Sequence, residues 1–372
     1  MSEPNAARPL DIPLVRPILG RAEIAAVSAV LRSGQIAQGA EVEAFETEFA
    51  ALCGTRDAVA VNSGTAALFL ALLAHSIGPG DEVITSPFTF IATANAILMT
   101  GARPVFIDVR ADDFNIDPNL ISERITSRTR AIIPVHLYGH PCDMTAITEI
   151  ARGNNLAIIE DACQAHLAEW EGKKVGSFGT GAFSFYPTKN MTTSEGGMIT
   201  TNDVDIAAKA RLLRAHGAKS QYHHTELGYN YRLTDIAAAL GRVQLQRLPA
   251  FTRKRRANAA YYDRHLKGVI TPQELPGAHH VYHQYTVRVP GGRDDLQAHL
   301  TSRGIGIAVY YPLPLHQQPL YREKLGYRDN LPVAESLSRE VLSLPVSPGL
   351  KRTERQAVTD AILEFTAAPS RA

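Results

Sequence analysis

Asn62-Ser63-Gly64-Thr65 stands between a short apolar strand, Ala58–Val61, and an alanine-rich run that reads as a helix over Gly64–His75. The unpaired N–H groups of a helix's first turn, its positive dipole end and two hydroxyls together make a cradle for an anion such as a phosphate. The same residues also read as an N-cap with a glycine for the tight turn. Further on, Ile158-Ile159-Glu160-Asp161-Ala162-Cys163-Gln164 ends an apolar strand in two adjacent carboxylates, which is costly unless one finds a cationic partner. A carboxylate held there stabilises a protonated nitrogen on a ligand, or else caps the next helix. Phe183-Ser184-Phe185-Tyr186-Pro187-Thr188-Lys189-Asn190 then delivers one lysine from a strand into a turn, followed by Thr192-Thr193-Ser194-Glu195-Gly196-Gly197. Desolvated at the end of a core strand, such a lysine has a lowered pKa and a nucleophilic amine; left in water it is an ordinary surface lysine. A phosphate cradle, a carboxylate for a ring nitrogen and a strand-end lysine are together the parts that pyridoxal phosphate requires. On this reading the lysine forms the Schiff base, the carboxylate keeps the pyridine nitrogen protonated and the cradle anchors the 5′-phosphate.

The elements that must position these residues alternate between helical and strand periods from about residue 20 to 215. Glu23–Ser33 and Val42–Cys53 read as amphipathic helices stopped by Gly34 and Gly54. Glu82–Thr85, Pro104–Val109, Ala131–Leu137 and Ala157–Glu160 are buried-strand runs, with helical stretches near Ile91–Met99 and Met144–Arg152. Strands alternating with helices predict an α/β fold with a mostly parallel sheet covered on both faces. In such sheets ligands bind beyond the carboxyl ends of the strands, where the three segments fall. Phe183–Tyr186 and Met198–Thr201 are expected as a late hairpin or edge pair. After Pro249 the texture changes to a charged helix, Thr252–Leu266, a strand, Val281–Val289, a helix, Leu296–Ser302, a strand, Ile305–Tyr311, and a helical C-terminus. This divides the chain into a large domain, 1–250, and a smaller α+β domain, 251–372.

Composition narrows the functional classes. The 372 residues are 45% hydrophobic and 20% charged, which supports a sizeable core. With 38 basic and 37 acidic side chains the net charge is +1, so no broad field selects nucleic acid or a membrane surface. The apolar run Ala66–Ala74 is far short of the ~20 residues of a spanning helix. The polar, proline-rich N-terminus has no signal-peptide pattern. Cys53, Cys142 and Cys163 are odd in number and widely spaced, which argues against a disulfide framework and for a reducing, cytoplasmic setting. Arg253-Lys254-Arg255-Arg256 reads as a solvated helix face, not a nucleic-acid patch. Gly176–Gly181 lacks dinucleotide-fingerprint spacing, there is no P-loop, and His279, His280 and His283 lack the helical spacing of a metal set, so no metal is expected.

Five ordered motifs carry a more specific statement: NSGTAAL, PFTFIATANAI, EDACQAH, FSFYPTKNMTTSEGG and LGYNYRLTDIAAALGRVQL. With them, from Gly39–Phe49 to Leu342-Ser343-Leu344-Pro345, the chain resembles the sugar aminotransferase family named after DegT, DnrJ, EryC and StrS, within fold type I of the pyridoxal phosphate enzymes. The resemblance implies that Lys189 is the Schiff-base lysine, Asp161 the pyridinium partner and Gln164 the residue bonding the cofactor's 3′-oxygen. It places Ser63, Gly64, Thr65 and Ser184 at the phosphate, Phe90 against the pyridine ring, and Asn230 on the phosphate of the neighbouring subunit, making the active site a property of a homodimer. Leu167 and Ser194 stand where the family commonly has glycine, and Thr180 where aspartate is frequent.

The activity so implied is transfer of an amino group from glutamate to a nucleotide-linked keto sugar. Lysine at position 189 argues against the dehydrating branch, which has histidine there. TTSEGG resembles the enzymes that aminate C4 of 4-keto-6-deoxyhexoses more than the C3 group. The alternatives are a C3 keto-sugar aminotransferase, an aminocyclitol aminotransferase acting on a keto-inositol, and a regulatory protein that kept the fold.

Overall fold

The computed structural model describes residues 11–367, so residues 1–10 of the N-terminus read above and residues 368–372 lie outside the described part. Two helices come first, α1 (Arg21–Ser33) and α2 (Ala40–Cys53), each ended by a left-handed glycine, Gly34 at φ 73° and Gly54 at φ 70°. Lacking a Cβ, glycine takes this conformation without the steric cost other residues meet.

Seven strands build the central sheet: β1 (Asp57–Val61), β2 (Glu82–Thr85), β3 (Arg103–Phe106), β4 (Thr129–Ile133), β5 (Ala157–Asp161), β6 (Thr180–Ser184) and β7 (Gly197–Thr201). Their spatial order is β1-β7-β6-β5-β4-β2-β3. β2 to β6 pair in parallel, and β7 runs antiparallel to both its neighbours. The expected late pair therefore exists, but it is no edge: β1, from far earlier in the chain, closes the sheet outside β7. Local periodicity carries no signal for that long-range pairing.

Strand alternation divides the core. Ala182 and Ile199 face Leu68, Leu70 and Leu72 of α3 (Gly64–Ala74), whereas Phe183, Phe185 and Met198 face Phe45 and Phe49 of α2. The Phe49 and Phe183 rings meet edge-on with centroids 5.0 Å apart. Helices α4 (Ala92–Met99), α5 (Met144–Gly153) and α6 (Val204–Arg214) complete the cover.

Helix α7 (Asp235–His265) is 31 residues long and continues past Pro249. An interior proline costs a helix about 3 kcal/mol, here offset by burial on both sides of it. Leu245 and Leu248 pack on the large-sheet core, while Ala259 and Tyr262 enter a separate core with Tyr285, Leu342 and Ile305. That second core holds the antiparallel pair β8 (Tyr285–Arg288) and β9 (Val341–Leu344), flanked by α8 (Arg293–Ser302) and, after α9 (Pro332–Glu340), by α10 (Arg352–Ala367). Ile12 from the N-terminal arm joins it.

Two expectations are corrected here. Ile305–Tyr311 is not a strand; only isolated bridges form, Ile12 with Ile305 and Ala308 with Ser343, before the chain turns toward the sheet. The basic run on α7 is not uniformly solvated. Helical spacing puts Arg255 on the same face as Phe251 and Thr252, where it is buried and donates to the carbonyls of Tyr282 and His283. Arg253 and Lys254 remain exposed. Among the described residues no helix is long and apolar enough to cross a membrane.

Candidate active site

A cavity of about 590 Å³ opens at the carboxyl ends of the parallel strands. Ser63, Gly64, Thr65, Phe90, Asp161, Gln164, Ser184 and Lys189 all line it. Eight of the nine sequence-derived site residues thus converge, from segments more than 100 positions apart. Asn230 does not; it is exposed, outside its own chain's cavity, on the segment that bridges back to Ala215.

The cradle is built by close packing. Ser63 caps α3, its hydroxyl accepting from the Ala66 N–H at 3.1 Å. The N-cap reading holds, since the serine satisfies one orphan donor; the first-turn N–H groups of Gly64 and Thr65 stay free of it, so the cap leaves room for an anion there. β7 allows the loop to come this near because a Cβ on Gly197 would stand 2.4 Å from the Ser63 carbonyl oxygen. Gly64 is equally constrained: a Cβ there would meet the Ser184 Cβ at 2.7 Å and the Cys163 Sγ at 3.0 Å. Gly64→Ala should push α3 away from Ser184, at an overpacking cost of about 1–3 kcal/mol. The expected result is roughly tenfold weaker binding of pyridoxal phosphate, read by equilibrium dialysis; unchanged affinity would remove Gly64 from the cradle.

The paired carboxylates at the end of β5 point to opposite faces, as strand alternation demands. Glu160 is fully buried and accepts from the N–H groups of Gly176, Phe178 and Gly179 at 2.7–3.0 Å, with His136 Nε2 at 3.1 Å. It organises the glycine turn Gly176–Gly181. Asp161 instead faces the cavity; its Oδ2 accepts from the Thr93 hydroxyl at 2.7 Å and its Oδ1 from the Cys163 N–H at 3.2 Å.

β6 ends at Ser184, and the following loop leaves the sheet and returns through the Phe185–Gly196 and Thr193–Phe185 backbone bonds. Lys189 sits near its apex in a turn closed onto the Tyr186 carbonyl at 2.8 Å. Burial pushes the Lys189 ammonium below its ordinary pKa, against the opposing influence of Cys163 and Asp161. Among the described residues no carboxylate forms an ion pair with it. A lysine so placed offers a larger neutral, nucleophilic fraction than one in water.

Gln164 is held by two bonds: its Oε1 accepts from the Tyr138 N–H at 2.9 Å and its Nε2 donates to the Tyr311 hydroxyl at 3.1 Å. Phe90 is 56% exposed and faces the cavity, its ring 6.4 Å from that of Tyr311. It is no core residue. A larger open groove, about 840 Å³, lies along α2, where Glu46 pairs with Arg211 and Arg214, and it shares no lining residue with the Lys189 cavity.

The sequence model of the DegT/DnrJ/EryC1/StrS aminotransferase family matches residues 17–363. The chain belongs to this family. It is 47% identical to the pleiotropic regulatory protein of Geobacillus stearothermophilus, over 90% of this chain and 92% of that protein. It is 44% identical to the dTDP-3-amino-3,4,6-trideoxy-alpha-D-glucose transaminase of Streptomyces venezuelae, over 92% and 91%. The crystal structure of S. venezuelae DesV superposes with a TM-score of 0.91 at 44% identity, covering 94% of this chain and 95% of that one.

The departures of this DegT-family chain from the common pattern have a backbone signature. Leu167 and Ser194, standing where glycine is common, both adopt left-handed φ, 70° and 74°. The backbone there is the one glycine would take, now carried by residues that pay ~1–2 kcal/mol for it. Thr180 takes a partner of its own, the His75 Nε2 at 2.9 Å. Thr89, Thr93, Glu195, Tyr310 and Tyr311, given no role from the sequence, also line the cavity, as does His283, named there only as a discounted metal ligand. Thr93 was within reach, lying in the PFTFIATANAI motif. His283, Tyr310 and Tyr311 come from the chain after α7, and the two tyrosines pack against the cluster of Phe88, Phe106 and Tyr138, where no local pattern marks them.

Proposed function

We propose that this member of the aminotransferase family binds pyridoxal phosphate and moves an amino group from glutamate to the keto carbon of a nucleotide-linked sugar. The observation that carries the reading is the convergence of a half-buried, unpaired lysine, a strand-end carboxylate and a glycine cradle on one cavity. When bound, pyridoxal phosphate supplies an electrophilic carbon and an electron-accepting ring. The Gly64 and Thr65 N–H groups with the Thr65 and Ser184 hydroxyls bind the phosphate, and Phe90 covers the ring face. Asp161 holds the proton at the ring nitrogen. Lys189 Nζ, half-buried in the cavity and unpaired, would be the amine that bonds the cofactor's electrophilic carbon, and as a free amine there it would carry a proton within the cavity.

For the position aminated, TTSEGG supports C4, whereas 44% identity to a transaminase named for a 3-amino sugar supports C3. A panel of UDP-, dTDP- and GDP-linked 3- and 4-keto sugars plus scyllo-inosose, offered with glutamate, separates these and the aminocyclitol reading. Mass spectrometry finds the product and NMR locates its amine. No product from any of them, with cofactor bound, would favour the regulatory reading.

The shared site is supported by Asn230, exposed on the same stretch of chain as Tyr222 and Leu227, themselves 88% and 81% exposed. On this reading each site takes Lys189 from one chain and Asn230 from its partner in a homodimer. Asn230→Asp puts a carboxylate beside the phosphate and should be strongly impaired. Mixed with Lys189→Ala and allowed to exchange, it forms hybrids with one whole site, so random pairing restores roughly a quarter of wild-type activity. No recovery after verified exchange would place Asn230 outside the partner's site.

A further inference from the structure

Asp161 does not stand alone in the cavity wall. Thr93, 1% exposed at the start of α4, donates its hydroxyl proton to Asp161 Oδ2 at 2.7 Å. Thr89, 2% exposed and one turn earlier, lies 3.0 Å from the Thr93 hydroxyl oxygen. A threonine hydroxyl has one proton, and that of Thr93 is committed to the carboxylate. The bond between the two threonines must therefore run from Thr89 to Thr93. The result is a directed chain, Thr89 to Thr93 to Asp161, in which each bond polarises the next and strengthens it in a site shielded from water. Asp161 Oδ1 is fixed separately by the Cys163 N–H. Two of the carboxylate's roughly four lone-pair positions are thus spent within the protein, and the plane of the group is set.

We propose that Thr93, backed by Thr89, is a positioning residue that aims the Asp161 carboxylate at the ring nitrogen of the cofactor. This rests on the assignment of Asp161 as that nitrogen's partner. The same short segment then does two things to one ring: Phe90 covers its face, and Thr89 and Thr93 fix the group at its edge. An alternative in which Thr93 merely ties α4 to β5 makes a different prediction, because a packing role takes no account of what the ligand carries at its ring position 1.

The test compares binding of pyridoxal phosphate with binding of its 1-deaza analogue, in which CH replaces the ring nitrogen, to the full-length apoprotein by fluorescence titration. Wild type should prefer the nitrogen-bearing cofactor. Thr93→Val keeps the branched shape and removes the hydroxyl; it should bind pyridoxal phosphate about tenfold more weakly, the order of a lost hydrogen bond to a charged group. Its affinity for the deaza analogue should stay within about twofold of wild type, and Thr93→Ser should restore the preference. Should Thr93→Val not fold, Thr89→Val, which leaves the Thr93–Asp161 bond in place, should lose about threefold in preference. A variant that retains the full wild-type preference overturns the proposal, as does an equal loss toward both ligands. Equal binding of both ligands by wild type would instead overturn the assignment of Asp161 itself.

Discussion

Lys189→Ala is expected to lose all measurable amino transfer, a fall on the order of five to six decades, as when a nucleophile that acts as both attacking group and proton carrier is removed. The protein should still fold. Among the described residues the Lys189 side chain makes no ion pair or hydrogen bond whose loss would strand a buried partner, and the loop around it is fixed by backbone bonds at Tyr186, Phe185 and Gly196. Circular dichroism and the melting temperature of the apoprotein separate the two effects. Activity within tenfold of wild type, with the fold intact, would move the chemistry to another group.

Asp161→Ala has the next largest effect. The cofactor should remain bound, since its phosphate and carbonyl anchors are elsewhere in the cavity. Losing the close charge partner of a ring cation in a dry site costs about 3–4 kcal/mol, or roughly two to three decades in rate. A stopped-flow half-reaction with glutamate reads this without interference from sugar binding. A mutant within about threefold of wild type, under ~1 kcal/mol, would reduce Asp161 to a helix-end acceptor for the Cys163 N–H.

What the sequence made legible is what local rules govern. Ser63 and Gly64 carry cap and turn chemistry in adjacent positions, and the apolar run at Ile158–Ile159 announces a buried strand whose last residues reach the ligand edge. Strand β2 was legible to the residue because Glu82–Thr85 is bounded by turn residues on both sides. Nonlocal packing explains the rest. Pro249 signals a break that burial on both sides of it overrides, so the change of texture at that position lies inside one helix. Arg255 looks solvated in a run of four basic residues until the helical period assigns it to the buried face. The placement of β7 between β6 and β1 needs a pairing across more than 130 residues, and Tyr311 and His283 enter the cavity from the chain beyond α7, more than 90 residues past Lys189. Leu167 and Ser194 were visible as departures from a glycine pattern, yet only the backbone angles show that the glycine conformation persists under them.

The central claim is that Lys189 is the amine that bonds the cofactor. Reconstituting the protein with pyridoxal phosphate, reducing with borohydride and mapping the peptides by mass spectrometry tests it directly. The expected result is a single phosphopyridoxyl group, on the peptide spanning Phe183–Asn190 and localised to Lys189 by fragmentation. A modification on a different lysine, or none after saturating cofactor, would contradict the account.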